Sequence, residues 1–299
     1  MPAVVFTHRR CLDHDPGRGH PESPERLKAV LRALRSAQWE AREAAPAALD
    51  ALAGVHPVEY ARSIEELARG GAALIGQDTV LNSASWEAAL AGLGQILAAV
   101  DHAHAGGGNA FAAVRPPGHH ATAARAMGFC LLANSVLAAR HAQRLGRERV
   151  LIVDWDVHHG NGTQDLVERD PSIRFVSMHQ WPWYPGTGAR EERGVGNVFN
   201  IPLPPGLAPT GSGGYVESFW SGVEAAGRDW SPDLVLISAG YDSMAGDPLG
   251  GFTLEPEHYA TLTTRIRGRF PGVPVVGLLE GGYAPERLAA GVVATVKAL

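Results

Sequence analysis

The chain has 299 residues, 45% of them hydrophobic and 19% charged, a balance typical of a soluble globular protein with a sizeable core. A formal net charge of -5 argues against nucleic acid or an anionic membrane as a partner. The two cysteines, Cys11 and Cys130, are too few for a disulfide framework, and no segment resembles a signal peptide or an apolar membrane span, so we expect a cytoplasmic location.

Strand-like and helix-like segments alternate along the chain. Short apolar runs predict strands at residues 4–6, 109–114, 150–153, 173–178, 198–201, 233–238 and 273–279. Amphipathic or Ala-rich segments predict helices at residues 24–37, 57–69, 83–104, 131–145, 212–226, 256–269 and from 285 to the C-terminus. This alternation favours an α/β fold with one parallel sheet covered by helices on both faces. No repeat or linker interrupts it, so residues 1–299 are predicted to form a single domain.

The strand at residues 150–153 is followed by the densest polar segment of the chain, which contains Asp154, Asp156, His158 and Asn161. Open α/β sheets bind ligands at this end of their strands. Asp156 and His158 are two residues apart, so on an extended segment their side chains point the same way. One carboxylate and one imidazole on one face are two ligands of a predicted metal site.

Three other predicted strands also end in polar motifs, which read RPPGHH, SAGYD and EGGY. Right-handed crossovers bring the carboxyl ends of parallel strands to one edge of the sheet, where these motifs should meet. Asp242 is then the natural third ligand. Two carboxylates and one imidazole leave an open coordination position, as in a catalytic zinc site, where the metal acidifies a bound water and polarises a carbonyl.

At these residues the sequence resembles the histone deacetylase family, in particular its class II-like and bacterial members. RPPGHHA, DWDVHHGNGT, YPGTG, SAGYDSMAGDPLGG and EGGY match the family's motifs in order, between about His20 and Tyr283. The resemblance implies the arginase–deacetylase fold, with an eight-stranded parallel sheet flanked by helices. It also implies a zinc amidohydrolase that removes acetyl or related acyl groups from acyl-lysine or a small acylated amine.

The resemblance also implies roles for individual residues. Zinc would be held by Asp156, His158 and Asp242. The tandem catalytic histidines would be His119 and His120, with Asp154 and Asn161 as their respective partners and Tyr283 as hydrogen-bond donor to the substrate carbonyl. A structural potassium ion would lie near Asp154, Asp156, His158, Ser177 and Met178. The acyl-lysine channel would be lined by Gly128, Phe129, Tyr184 and Leu249, with Trp183 on its wall or rim, Asp78 at the rim, and Arg26 at an internal cavity.

The two histidines should divide the proton chemistry between them. An anionic neighbour favours imidazolium, so Asp154 should raise the pKa of His119. The neutral Asn161 can orient His120 without this effect. We therefore predict that His120 is the general base and that His119 acts mainly through its charge.

Three alternatives remain open. The first is an acetylpolyamine amidohydrolase, although such enzymes carry an acidic gatekeeper where this chain has Leu249. The second is an arginase-like enzyme, which needs a two-metal site with a further Asp two residues after the ligand histidine, where this chain has Gly160. The third is a non-catalytic acyl-lysine-binding module, which would not need Tyr283 or both histidines. The sequence leaves the physiological substrate, the preferred acyl length and the oligomeric state undetermined.

Overall fold

A computed structural model describes residues 2–299 of the chain. It contains ten strands, at β1 Val4–Phe6, β2 Ala41–Arg42, β3 Ala73–Ile75, β4 Thr79–Leu81, β5 Ala110–Ala112, β6 Val150–Asp154, β7 Ile173–Gln180, β8 Val198–Leu203, β9 Leu234–Ala239 and β10 Val275–Leu279. Eight of them form one parallel sheet, in the order β2-β1-β5-β10-β9-β6-β7-β8. The predicted fold class is therefore confirmed.

The central strands are apolar because both of their faces are covered. Every residue of β6, β9 and β10 is buried, which explains why these strands appear in the sequence as continuous aliphatic runs without polar alternation. The four neighbouring strands β5, β10, β9 and β6 precede the four polar motifs. The carboxyl ends of these strands therefore bring the motifs to one edge of the sheet.

Eight α-helices complete the described part of the chain, at α1 Pro24–Ser36, α2 Val58–Arg69, α3 Ser85–His104, α4 Asn134–Arg144, α5 Asn161–Val167, α6 Tyr215–Ala226, α7 Pro256–Arg269 and α8 Pro285–Ala298. One layer consists of α1, α8, α7 and α6, each packed on the next. The other consists of α2, α3, α4 and α5, packed in the same serial manner. The result is a three-layer domain with the sheet in the middle.

The structure differs from the sequence prediction mainly in its short elements. The edge strand β2, the antiparallel hairpin β3–β4 and the seven-residue helix α5 were not predicted. None of them is long enough to show a hydrophobic period. The helix predicted at residues 131–145 begins instead at Asn134, and the one predicted at residues 212–226 begins at Tyr215, after a glycine-rich turn.

Between residues 2 and 299 there is no helix with both the length and the apolar character needed to cross a lipid bilayer.

Candidate metal centre and active site

Asp156 and His158 follow β6, Asp242 follows β9, and all three side chains are buried. One potential ligand atom from each lies within 4.8 Å of the other two. His158 Nδ1 is 3.0 Å from Asp156 Oδ1 and 3.2 Å from Asp242 Oδ2. The structure thus brings together the three residues that were predicted to hold zinc.

Backbone amides fix the two carboxylates. Asp156 accepts the N–H groups of His158 and Gly281, both at 2.9 Å, and Asp242 Oδ1 accepts the N–H of Val157 at 2.7 Å. Asp242 Oδ2 is buried and makes no well-aligned hydrogen bond, although His158 Nδ1 lies 3.2 Å away. A buried carboxylate oxygen without a partner is costly, and a cation would satisfy it. The donor set of two carboxylates and one imidazole therefore fits a divalent metal.

The charge balance of this cluster points the same way. Burial and the neighbouring Asp156 raise the pKa of Asp242 to about 7. Burial disfavours the charged form of His158, but Asp156 and Asp242 outweigh it and raise the pKa of that imidazole to about 9. When both carboxylates are ionised and His158 is a neutral ligand, the cluster carries two buried negative charges, and a divalent cation is the complement it needs.

The tandem histidines lie beside this cluster at the carboxyl end of β5. Their rings are 4.0 Å apart. His119 Nδ1 is 3.0 Å from Asp154 Oδ2, and His120 Nδ1 is 2.7 Å from Asn161 Oδ1. Each histidine thus faces the partner that the sequence predicted for it.

The two histidines are in opposite electrostatic environments. Burial works against protonation of His119, but Asp156 and Asp154 outweigh it and hold the pKa well above its ordinary value. Burial and the neighbouring His119 hold the pKa of His120 well below its ordinary value. At neutral pH the pair therefore consists of an imidazolium and a neutral imidazole.

The hydrogen bond to Asn161 also defines the tautomer of His120. An amide oxygen can only accept, so the hydrogen of the neutral ring is on Nδ1, and Nε2 keeps its lone pair. The second hydrogen bond of the Asn161 amide supports this orientation, since its NH₂ group donates to Met127 Sδ at 3.5 Å. Gly128 allows the ring to fit, because a Cβ at that position would overlap with the His120 side chain.

Tyr283 follows β10 and faces the same region. Its ring packs edge-on against Phe129, with 5.7 Å between the centroids, and lies under the Arg26 guanidinium at 4.9 Å. Burial raises the pKa of Tyr283 well above its ordinary value, even though the Arg26 charge opposes this. The phenol therefore stays protonated and can donate a hydrogen bond.

A cavity of about 230 Å³ leads to these groups. Its mostly apolar walls suit an alkyl chain. The cavity is lined by Asp78, His120, Gly128, Phe129, His158, Trp183, Tyr184, Leu249 and Tyr283. All four predicted channel residues line it, and so do Asp78 and Trp183.

Arg26, which was predicted to lie at an internal cavity, belongs to a buried ionic network. Its guanidinium donates to Glu22 at 2.8 Å and to the backbone carbonyls of Glu280 and Gly282, both at 2.5 Å. Glu22 in turn accepts two hydrogen bonds from Arg115, at 2.6 and 2.7 Å. This network fastens the backbone around Tyr283 to the loop that precedes α1.

The residues predicted for potassium lie next to the metal cluster. Ser177 is paired with Asp154 across β6 and β7, and Met178 is buried beside it. Both side-chain oxygens of Asp154 already have partners, namely His119 and the Asp156 N–H. An ion here would therefore rely on backbone carbonyls and the Ser177 hydroxyl, and potassium stays a prediction.

The structure adds two carboxylates to which the sequence analysis gave no role. Glu280 accepts the N–H groups of Gly118 and His119, at 2.6 and 3.2 Å, and burial raises its pKa to about 7. Asp247 accepts the N–H groups of Tyr283 and Leu249, at 2.6 and 2.9 Å. Their positions within EGGY and GDP were the only sequence signal available for them.

Comparison with known proteins gives a consistent assignment. Residues 20–299 match the family model described as "Histone deacetylase domain". A histone deacetylase-like amidohydrolase of Pseudomonas aeruginosa is 38% identical over 280 residues, which cover 89% of this chain and 73% of that protein. The human polyamine deacetylase HDAC10 is 39% identical over 313 residues, covering 98% of this chain and 46% of the human protein. The crystal structure of the HDA15 HD domain superimposes with a TM-score of 0.93 at 35% identity, covering 99% of this chain and 87% of that one.

Proposed function

The chain belongs to the histone deacetylase family and is a hydrolase of the deacetylase type, and on this premise we propose that it is a zinc-dependent amidohydrolase acting on acyl-lysine or a similar singly charged acylated amine. The observation that carries this proposal is the buried Asp242 Oδ2, which makes no hydrogen bond, beside Asp156 and His158, the last of which also lines the apolar cavity. A metal site of this kind, reached through such a channel, suits hydrolysis of an amide at the end of an alkyl chain.

The metal would be held by Asp156, His158 and Asp242. Zinc bound there would lower the pKa of a coordinated water and polarise the amide carbonyl. The remaining chemistry depends on residues of the chain itself.

Tyr283 would stabilise the oxygen of the attacked carbonyl. Its phenol stays protonated and donates a hydrogen bond, which strengthens as negative charge develops on that oxygen. Because this interaction is stronger in the transition state than with the bound substrate, its loss should lower kcat more than it raises KM.

His120 would take the proton of the attacking water. Its Nε2 has a free lone pair, and its depressed pKa keeps the ring neutral until that proton arrives. The same histidine then returns the proton to the departing amine, which leaves in neutral form. His119, held as imidazolium by Asp154, contributes positive charge beside the reacting centre.

The channel residues support an acyl-lysine substrate. The rings of Phe129 and Tyr184 both line the cavity, which suits a linear methylene chain. Leu249 at the same cavity offers no attraction to a second ammonium group. The alternative of an acetylpolyamine substrate draws support from the human relative named as a polyamine deacetylase, and Leu249 weighs against it.

Three further expectations belong to this proposal. Potassium binds beside Asp154, Ser177 and Met178 as a structural ion. Residues 1–299 act as one catalytic unit. The protein functions in the cytoplasm, in keeping with its two unpaired, buried cysteines.

The decisive experiment compares turnover of a fluorogenic acetyl-lysine peptide, acetylputrescine and a longer acyl-lysine peptide by the zinc-loaded protein. We expect turnover of acetyl-lysine, its loss with a chelator and its recovery with added zinc. The His120→Ala variant should bind zinc and lose turnover. Zinc-loaded protein that hydrolyses none of the three substrates would contradict the proposal and leave a binding module as the better description.

A further inference from the structure

A second cavity, of about 300 Å³, lies beside the channel. The two cavities share Asp78 and Tyr184, so they adjoin each other at these two residues. The second cavity has a more polar character than the first, since its walls include Gln77, Thr122 and Arg125. A substrate whose alkyl chain fills the channel would therefore place its remaining polar part in this cavity.

Arg125 supplies the positive charge of the second cavity. Its side chain is exposed, and no acidic side chain within residues 2–299 lies within ion-pair distance of it. Its backbone is well fixed, because the Arg125 carbonyl accepts the N–H of Thr122 at 3.1 Å and His56 anchors the same turn by donating to the Ala123 carbonyl at 2.8 Å. The cavity thus presents an unpaired guanidinium on a rigid turn.

Asp78, the acidic residue of the second cavity, already accepts hydrogen bonds from the protein. Asp78 Oδ1 accepts the N–H of Gly128 at 3.0 Å and the hydroxyl of Thr79 at 2.9 Å, so this carboxylate holds the channel wall. Burial and Asp78 raise the pKa of Tyr184, and the Arg125 charge is near enough to act in the opposite direction. Arg125 is therefore close to the shared wall of both cavities and is not neutralised by Asp78 in an ion pair.

We propose, building on the deacylase function above, that this cavity is a substrate subsite in which Arg125 binds a carboxylate next to the acylated chain. A guanidinium binds a carboxylate through two parallel hydrogen bonds, which gives it a geometric preference for this group. The ligand is an Nε-acyl-lysine with either a free α-carboxylate or an acidic neighbouring residue. A polyamine has no carboxylate, and its second ammonium is repelled by Arg125.

The test is a kinetic comparison of Nε-acetyl-lysine with its C-terminal amide, on the zinc-loaded wild type and the Arg125→Gln variant. We expect the variant to raise KM for the free acid by roughly three- to tenfold, with kcat unchanged and no effect on the amide. Arg144→Gln is the matched control, since Arg144 is an exposed arginine of α4 that lines neither cavity. Equal effects on acid and amide, or no effect on either, would overturn the proposal.

Two further substrates show whether the carboxylate belongs to a protein or to a free amino acid. They are C-terminally amidated acetyl-lysine peptides that have Asp or Asn next to the acylated residue. An Arg125-dependent preference for the Asp peptide indicates a protein substrate. A preference limited to free Nε-acetyl-lysine indicates an acylated amino acid.

A binding measurement separates this proposal from the deacylase proposal. Calorimetry on the zinc-loaded Tyr283→Phe variant measures affinity for Nε-acetyl-lysine and its amide without turnover, and the same is done with Arg125→Gln added. Selective binding of the acid that disappears with Arg125→Gln supports the subsite, even if the wild type hydrolyses neither compound. Equal binding of acid and amide contradicts the subsite, whatever the turnover.

Discussion

The Asp247 carboxylate accepts the backbone N–H of Tyr283 at 2.6 Å. The other oxygen of the same carboxylate accepts the N–H of Leu249 at 2.9 Å. One buried side chain thus fixes the backbone of the proposed oxyanion donor and that of a channel residue. Its role is positional, since Asp247 is not among the residues that line the channel.

The Asp247→Asn variant should lower kcat by roughly ten- to hundredfold. One of the two carboxylate oxygens becomes an amide NH₂ group, which cannot accept the N–H of Tyr283 or Leu249. A general loss of stability would lower activity in any background. In the Tyr283→Phe background, however, the same change should have little further effect on kcat if Asp247 acts through the phenol. Additive losses in this double-mutant cycle would show that Asp247 does not act through Tyr283.

Replacing Asn161 with Asp tests the assignment of the general base. Burial and His119 keep the pKa of His120 low, and a carboxylate at Nδ1 would favour imidazolium and raise that pKa. The neutral base is lost as pH falls through this raised value. The acid limb of kcat/KM should therefore move to higher pH, and an unchanged limb would exclude His120 as the base.

Metal content tests the ligand set independently of activity. The wild type should carry about one zinc per chain after exposure to zinc and dialysis, measured by elemental analysis. Asp242→Asn removes the unpartnered carboxylate charge and should leave little bound metal. Asp229→Asn is the control, because Asp229 is exposed and has a φ of 53°, a conformation that Asn adopts equally well. Full zinc occupancy in Asp242→Asn would contradict the site.

Leu249 tests the choice between acyl-lysine and polyamine. A Leu249→Glu change places a carboxylate at the channel, where it attracts the second ammonium of an acetylated polyamine. We expect the ratio of kcat/KM for acetylspermidine to that for acetyl-lysine to rise by roughly tenfold, about 1.4 kcal/mol. Leu249→Gln introduces a side chain of the same shape as glutamate but without its charge, and it should leave the ratio near the wild-type value. A similar rise for both variants would assign the effect to shape rather than to charge.

His56 predicts a dependence of stability on pH. Burial lowers its pKa below the ordinary value of 6.5, although its bond to the Ala123 carbonyl opposes this, and Nε2 accepts the N–H of Ala133 at 2.9 Å. Above that ordinary value neither the folded nor the unfolded state holds the proton. Below this ordinary pKa the unfolded state binds the proton first. The free energy of unfolding therefore decreases as the pH is lowered, by up to about 1.4 kcal/mol per pH unit.

The measurement is urea denaturation of the wild type and of His56→Gln between about pH 7 and pH 5. The variant should be less stable at neutral pH but should lose less stability on acidification. His104→Gln, at an exposed position near the end of α3, should keep the wild-type slope. An equal slope in wild type and His56→Gln would contradict the prediction.

Much of the fold could be predicted because its central strands have a simple pattern. Val150 to Val153 form a continuous aliphatic run, and such a run is stable only where both faces of a strand are covered. Because these strands are parallel, the polar motifs that follow them all lie at the same edge of the sheet. The ligand spacing of Asp156 and His158 followed from the alternation of side chains.

The remaining features depend on contacts between distant parts of the chain. The hydrogen bond between Asp247 and Tyr283 joins residues 36 positions apart, and no periodic pattern in the sequence predicts it. The hairpin β3–β4 brings Asp78 to the channel, but its three-residue strands are too short to produce a strand signal. The hydrogen bonds of His56 link it to the turn that carries Arg125, and this link appears only in three dimensions.

Trp183 has a practical consequence for studying this protein. Its indole is 45% exposed, lines the channel and donates a hydrogen bond to the Leu249 carbonyl at 2.9 Å, whereas Trp86 and Trp155 are buried in the core. An alkyl chain entering the channel displaces solvent from this indole and changes its fluorescence emission. Trp183 is therefore an optical reporter of channel occupancy, and unlabelled amines can be screened for binding by stopped-flow fluorescence. The Trp183→Phe variant separates its signal from that of the partly exposed Trp39, Trp181, Trp220 and Trp230.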